Sequence, residues 1–135
     1  MVLADSSVWS LALRRKKSKT LNSDEQRLVQ LLSEASADGR VAMIGPIRQE
    51  VLSGIRHQAQ FDNLKATLRQ FPDHFIETED YEEAAKVYNA FRARGLQCGT
   101  IDILICALAL RRNWEVLSND SGLNHCLQAI ARLKS

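Results

Sequence analysis

The chain has 135 residues, of which 45% are hydrophobic and 25% are charged, and its formal net charge is +2. This length is typical of one domain that buries its own core, and the composition is that of a globular protein. No apolar run approaches the roughly 18 residues of a membrane span, and the N-terminus lacks the features of a signal peptide. The small positive net charge weakly favours an anionic partner and decides nothing by itself. We therefore expect a single domain over residues 1–135 in the cytoplasm.

The predicted elements of the N-terminal half start with a short apolar run at residues 2–4, which ends at residues with good helix-capping side chains. Ser23 and Gln26 have the spacing of a capping box, and a glycine ends the helix that they start. In chain order we predict a strand at 2–4, a helix at about 8–14, a helix from Ser23 to Gly39, a strand at 41–44 and a helix opened by Gly45 and Pro46.

The C-terminal half continues the alternation, and its most apolar helix is apolar nearly all round, which predicts a central, buried position. The predicted elements are a helix at 61–70, a strand at 74–76, a helix containing Tyr81 to Phe91 that Gly95 ends, a helix at 101–112 capped by Thr100, a strand at 116–118 and a last short helix. Residues 129–133 are either a fifth strand or the tail of that helix. Short strands alternating with longer helices indicate an α/β sandwich, with helices flanking a parallel sheet of four or five strands.

The three cysteines are Cys98, Cys106 and Cys126. Their number is odd and no two have the CxxC spacing, so we expect reduced thiols and no disulfide framework. The histidines are far apart in sequence and show no zinc-binding spacing, and we expect surface or core positions for all of them, at 57, 74 and 125. The tryptophans, at 9 and 114, are expected to be packing residues.

Four carboxylates fall at informative positions. Asp5 directly follows the first predicted strand and Asp120 follows the last, and ligands of parallel sheets bind at the carboxyl ends of the strands. Glu50 borders the buried stripe of the helix after the second strand, and Asp102 heads the most apolar helix, where an unpaired charge is costly. Each acid alone has a structural interpretation as a cap, a turn residue or a solvated side chain. A cluster of like charges needs a cation, and an all-oxygen site suits Mg²⁺ or Mn²⁺.

Four short blocks contain these acids. They are Asp5-Ser6-Ser7-Val8, Glu50-Val51-Leu52-Ser53-Gly54, Asp102-Ile103-Leu104-Ile105-Cys106-Ala107 and Leu117-Ser118-Asn119-Asp120. In this order and at these spacings, the chain resembles PIN domains, and in particular VapC-type toxins. Each block alone is a weak signal, whereas the ordered set covers residues 5 to 120, which is almost the whole chain.

The resemblance implies a PIN-like three-layer α/β sandwich and a nuclease that depends on Mg²⁺ or Mn²⁺. It implies that the four acids are both the catalytic residues and the metal ligands, at Asp5, Glu50, Asp102 and Asp120. The polar residues beside them would support the ligands, at Ser6, Ser118 and Asn119. The segment after Asp120 lacks the second acid or aromatic residue that relatives often have.

The resemblance further implies a role and partners. The protein would be an endoribonuclease that hydrolyses phosphodiester bonds of RNA, and the toxin of a type II toxin–antitoxin pair. It would form a homodimer and bind a VapB-like antitoxin, whose inserted segment would lie near the acids. A basic run after the first helix could contact the RNA backbone, through Arg14, Arg15, Lys16 and Lys17, although such runs are also common in solvated loops. Two smaller basic groups, at Arg92 and Arg94 and at Arg111 and Arg112, could also follow the RNA backbone.

Two alternatives stay open. A catalytically degenerate PIN domain would act as a protein- or RNA-binding module, and a DNA-directed nuclease could use the same acids. A phosphoacceptor receiver domain is a poor match, because it needs an acidic pair after the first strand, where this chain has Asp5 followed by Ser6 and Ser7.

Overall fold

The structure, a computed structural model, describes residues 1–14 and 20–134. Its elements are β1 (Val2–Ala4), α1 (Ser6–Leu13), α2 (Ser23–Ala37), β2 (Val41–Ala42), α3 (Gly45–Leu52), α4 (Gln58–Leu68), α5 (Thr78–Ala93), α6 (Thr100–Arg112), β3 (Glu115–Leu117) and α7 (Ser121–Lys134). The predicted α/β class with a parallel sheet is confirmed.

The sheet contains three strands in the described part of the chain, in the order β2-β1-β3. Both pairings are parallel, and Leu3 in the central strand lies opposite Ala42 on one side and Val116 on the other. Since all the strands run the same way, their carboxyl ends lie at one edge of the sheet. The turns that follow β1, β2 and β3 therefore converge there.

The predicted count of four or five strands is wrong, for two local reasons. Residues 74–76 do not form a strand: pairing is limited to an isolated bridge between Met43 and Asp73, and the His74 N–H donates to the Met43 carbonyl at 2.7 Å. Phe75, the next residue, is 80% exposed and packs on no sheet. Residues 129–133 belong to α7, where Ile130 is buried on the helical face.

Two predicted helix starts are also displaced. The capping box of α2 uses Asn22 and Glu25, one residue before the predicted Ser23 pair, because the Asn22 side chain accepts from the Glu25 N–H at 2.8 Å. The N-cap of α6 is Gly99 and not Thr100, and it provides no side-chain cap. Consequently, side-chain capping does not fix the first turn of α6.

The core is centred on α6, as its composition predicts. All seven residues from Ile103 to Ala109 are buried. Phe91 from α5 and Leu123 from α7 complete this core and are almost fully buried. In the described residues, no helix is both long enough and apolar enough to cross a membrane.

Trp9 and Trp114 pack as predicted. Trp9 is 3% exposed and meets the Phe71 ring edge-on at 5.1 Å. Trp114 meets the His74 ring at 5.1 Å and also lies under the Arg112 guanidinium.

The prediction of three reduced thiols is wrong. Cys98 and Cys126 form a disulfide with Cα atoms 6.2 Å apart, whereas Cys106 is free and buried on α6. The partners are 28 residues apart in sequence and meet only because α7 packs against α6. Cysteine spacing along the chain does not contain that information.

Candidate active site

Asp5 occupies the turn between β1 and α1 and is the N-cap of that helix. Its Oδ1 accepts hydrogen bonds from the Ser7 N–H at 3.1 Å and the Ser7 hydroxyl at 2.5 Å. Its own N–H donates to the Leu117 carbonyl at 3.0 Å, at the end of β3. The residue is only 6% exposed, and its carboxylate is held by Ser7 of α1 while its backbone is held by the end of β3.

The turn after β3 is tied to the same carboxylate. The Ser118 hydroxyl donates to Asp5 Oδ2 at 2.6 Å and accepts from the Asp120 N–H at 3.0 Å. The Asn119 N–H donates to the Ser7 hydroxyl at 2.8 Å. Hydrogen bonds therefore link the turn after β1 to the turn after β3 in a continuous network.

The burial of Asp5 has an electrostatic consequence. Burial raises the pKa of this carboxyl above its usual value of 3.8, and the hydrogen bonds from Ser118, Ser7 and Val8 only partly offset that rise. The ionised form is thus less favourable here than in water, and a nearby cation would stabilise it.

Glu50 lies on α3 with its side chain in solvent. The Ser6 hydroxyl donates to Glu50 Oε1 in a short hydrogen bond. Ser6 was predicted to support the ligands, and although it follows the first acid in sequence, it contacts the second acid, Glu50. The contact fixes the start of α1 against α3 beside the Asp5 turn.

Asp102 is affected by the charges of the other three acids. This half-buried residue lies in the first turn of α6, and its pKa is raised first by burial and then by the charges of Asp120, Asp5 and Glu50. The ion pairs between described residues lie elsewhere, at Asp38, Asp73, Asp80 and Glu83. The edge of the sheet at the carboxyl ends of the strands thus carries negative charge, with no basic partner in the described part of the chain.

Asp120 is exposed at the start of α7. Its Oδ1 accepts from the Gly122 N–H at 2.8 Å, and its carbonyl accepts from the Asn124 N–H at 3.1 Å. A Cβ atom at position 122 would lie 3.1 Å from that Oδ1, closer than most such contacts, so glycine suits this turn. Asp120 thus has a clear structural role as a turn residue in addition to its place in the acidic cluster.

Comparison with known families decides the assignment. The PIN domain pattern matches residues 2–126. The chain belongs to the PIN domain family. Members are generally Mg²⁺-dependent nucleases, which supports a nucleic-acid hydrolase. No curated protein matches the chain.

The acidic cluster of this PIN domain has the right donors for a divalent cation but does not form a closed ligand shell. Its side-chain donors are carboxylate oxygens, which suit hard cations such as Mg²⁺ and Mn²⁺. Within residues 1–14 and 20–134, no three carboxylate, imidazole or thiol side chains are close enough to hold one metal ion. A bound cation would therefore have to draw the carboxylates together, and relief of the repulsion on Asp102 would favour that movement.

Ser7 is the site residue that sequence reasoning missed. It donates two hydrogen bonds to Asp5 and accepts one from the loop after β3. The signal was present, because a helix-capping Asp accepts from the second and third residues after it, and Ser7 is the second.

The predicted basic contacts have mixed outcomes. Arg14 is half-buried and its guanidinium contacts the Val51 carbonyl at 3.5 Å, at the end of α3. The predicted contacts at positions 15–17 lie outside the described residues. Arg111 and Arg112 were considered for RNA binding, but both form ion pairs with the fully buried Asp80.

Asp80 is a buried carboxylate that the sequence analysis did not single out. Burial alone would raise its pKa, but the Glu77 N–H and the two guanidinium groups have the larger combined effect and lower it. The Glu77 N–H donates to Asp80 Oδ2 at 2.8 Å in the capping box of α5. Asp80 is therefore a structural ion-pair centre, unlike the acids at the strand edge.

Proposed function

We propose that this PIN-domain protein is a Mg²⁺- or Mn²⁺-dependent endoribonuclease and the toxin of a type II toxin–antitoxin pair. The observation that carries the proposal is the placement of Asp5 and Asp120 in the turns after the parallel strands β1 and β3, with Asp102 in the first turn of α6. The pKa of Asp102 is raised by burial and then by the charges of Asp120, Asp5 and Glu50, which agrees with this placement. An ionised Asp102 that is partly buried and repelled by three other carboxylates is costly for the protein alone. It becomes favourable when a divalent cation lies among the carboxylates.

Asp5, Glu50 and Asp102 would hold the cation, and Asp120 would complete the set. When bound, such an ion activates water as a nucleophile and neutralises charge on the leaving oxygen of the phosphodiester. The acids are supported by the groups already described, namely Ser6 on Glu50 and Ser118 on Asp5.

The hydrogen bonds on Asp5 determine what it can offer. Three donors bind Oδ1, whereas Oδ2 accepts only from Ser118 among the described residues. A carboxylate oxygen has two lone pairs, so Oδ2 keeps one for a ligand. Glu50 is exposed and steadied by Ser6, a position from which it could complete the metal site or orient the attacking water.

An apolar groove beside the acids supports the proposed antitoxin. It has a volume of about 380 Å³ and lies between α5 and α6, with Tyr81, Tyr88, Ile101 and Leu104 in its walls. Ile101 also lines a smaller pocket that contains Glu50. An antitoxin segment could place an apolar side chain in the groove and an Arg or Lys against the acids, and so bind both the apolar and the acidic surface. Tyr81 and Ile101 are 53% and 44% exposed, which also favours burial by a partner or a second copy in a homodimer.

The first test is cleavage of RNA and of a single-stranded DNA of matched sequence, in Mg²⁺, in Mn²⁺ and in EDTA. We expect metal-dependent RNA cleavage by the wild type and a loss of at least about a hundredfold in Asp5→Asn, because metal ligands contribute several kcal/mol to such reactions. Asp62→Asn is the matched control, since Asp62 is exposed on α4 and, among the described residues, accepts only from Gln58.

The outcomes separate the candidate functions. Cleavage of DNA alone would establish the DNA-directed alternative. Absence of cleavage of both substrates by folded, metal-loaded protein would contradict the nuclease proposal and favour the binding module.

The toxin role needs a second test. Induced expression in a bacterial host should arrest growth, Asp5→Asn should not, and co-expression of a small protein encoded directly upstream should restore growth. Equal growth with the wild type and with Asp5→Asn, at equal protein levels, would contradict the toxin role while leaving the nuclease activity intact.

A further inference from the structure

The Cys98–Cys126 disulfide joins the two elements that contain Asp102 and Asp120. Cys98 directly precedes Gly99, the N-cap of α6, and lies one turn before Asp102. Cys126 lies on α7, which begins immediately after Asp120. The bridge is therefore a covalent link between the chain segments on which two of the four acids depend.

Little else holds the segment before α6. The Leu96 N–H donates to the Phe91 carbonyl at 2.9 Å, and the Ile103 N–H donates to the Gly99 carbonyl at 3.0 Å. Gln97 and Cys98 lie between these two bonds, and neither makes a backbone–backbone hydrogen bond with another described residue. Gly99 adds no side-chain cap to α6. Leu96 packs against the core, so apart from that contact the disulfide is the main anchor, in the described part of the chain, of the residues that lead into Asp102.

The bridge is accessible from one side. Cys98 is half-buried and lines an open cleft of about 590 Å³ together with Arg92, Gly95 and Gln97. Cys126 is 1% exposed, so an incoming thiolate would reach the Cys98 sulfur first. Cys106 is fully buried and burial raises its pKa to about 12, which keeps it protonated and out of thiol exchange.

We propose that Cys98–Cys126 is a thiol–disulfide exchange site that regulates the acidic site, with a dithiol as its reductant. One thiolate of the reductant attacks the Cys98 sulfur, the S–S bond breaks, and Cys126 leaves as a thiolate that takes up a proton. The second thiol of the reductant then attacks the mixed disulfide and releases Cys98 as a thiol. Overall, the protein disulfide gains two electrons and two protons, and the dithiol becomes a disulfide.

The oxidised bridge limits how far the segments that contain Asp102 and Asp120 can move apart, so less movement is needed when a cation draws the two carboxylates together. Reduction removes this limit and loosens both segments. The change stays local, because Leu123 and Ile130 of α7 are buried in the same core as the apolar residues of α6. The regulatory effect rests on the proposed metal-dependent nuclease function, whereas the exchange chemistry and the loosening of α6 do not depend on it.

The test compares oxidised wild type with wild type reduced by dithiothreitol and desalted without oxygen. Labelling of denatured protein should detect one thiol before reduction and three after it, from the three cysteines of the chain. Amide hydrogen exchange over residues 97–103 should be faster in the reduced protein. The Mn²⁺ dissociation constant, followed by electron paramagnetic resonance, should rise on the order of tenfold, the usual effect of losing a group that positions metal ligands.

Cys98→Ser is the matched variant, since Cys98 is the more exposed partner, and Cys126→Ala tests the bridge from the other side. Both should behave like reduced wild type and should not respond to dithiol. Three labelled thiols in protein treated with glutathione disulfide would overturn the proposal, as would identical exchange rates and Mn²⁺ affinities in the two redox states. If the exchange rates and the Mn²⁺ affinity depend on redox state but RNA is cleaved in neither state, the inference is upheld and the ribonuclease proposal is refuted instead.

Discussion

Ser118→Ala removes the hydroxyl that links the turns after β1 and β3. The hydroxyl is buried, donates to Asp5 Oδ2 at 2.6 Å, and accepts from the Asp120 N–H at 3.0 Å. Alanine leaves the backbone and nearly the same volume in place. The substitution therefore tests the hydrogen bonds and not the packing.

The expected cost follows from the two bonds. A hydrogen bond to a buried charged group contributes about 1.5–3 kcal/mol, whereas water can replace the bond to the exposed Asp120 at little cost. We therefore expect the free energy of unfolding of the metal-free protein to fall by about 2 kcal/mol near neutral pH. Loss of the donor also raises the pKa of Asp5 further, so the difference between variant and wild type shrinks in acid, where Asp5 is protonated in both.

The assay is urea unfolding in EDTA, near neutral pH and in mildly acidic buffer. Ser53→Ala is the control, because Ser53 is exposed and its hydroxyl donates, within residues 1–14 and 20–134, only to the Gln49 carbonyl at 2.7 Å. That variant should stay within about 0.5 kcal/mol of wild type. Equal effects of the two substitutions at neutral pH, or a Ser118→Ala effect that does not change with pH, would refute the reasoning about Asp5.

Three further predictions concern the other carboxylates. Burial and neighbouring charges raise the folded-state pKa of Asp102 above 3.8, so its ionisation lowers the stability of the protein as pH rises above that value. In EDTA and near neutral pH, Asp102→Asn should therefore be more stable than wild type when thermal unfolding is measured. Equal stability would contradict this. The ionisation of Asp80 has the opposite effect, since the lowered pKa of this group gives stability that is lost as pH falls below 3.8. Asp80→Asn should lower the free energy of unfolding in urea by about 2 kcal/mol or more, because two partly exposed arginines lose their partner. Its control, Asp38→Asn, removes an exposed pair with Arg40 and should cost less than about 1 kcal/mol, so equal costs would refute the assigned role of Asp80. Glu50→Gln should leave the unfolding free energy within about 0.5 kcal/mol of wild type, yet weaken Mn²⁺ binding measured by paramagnetic resonance, and unchanged binding would remove Glu50 from the site.

Features set by neighbouring residues were predictable from the sequence. The β1 strand and the Asp5 cap follow from an apolar run that ends at a capping residue, and the central position of α6 follows from its nearly uniform apolarity. The positions of Asp5 and Asp120 after parallel strands also follow from local order along the chain. These local signals were sufficient for the fold class and for the strand edge where the acids lie.

Features set by contacts between distant segments were not predictable. The Cys98–Cys126 bridge spans 28 residues, and the ion pairs of Asp80 span 31 and 32 residues. Residues 74–76 resemble a strand locally, but the backbone reaches Met43 only at one bridge. Each of these features depends on how distant segments pack against one another, and a short stretch of sequence does not carry that information.

The measurement that tests the central claim most directly is a Mn²⁺ titration followed by electron paramagnetic resonance, because it does not depend on knowing the natural RNA. We predict saturable binding by the oxidised wild type and by Asp62→Asn, and binding weakened by at least about tenfold in Asp5→Asn and in Asp102→Asn. The same affinity in all four proteins, with each shown to be folded, would contradict the claim that the carboxylates at the strand edge form the metal site.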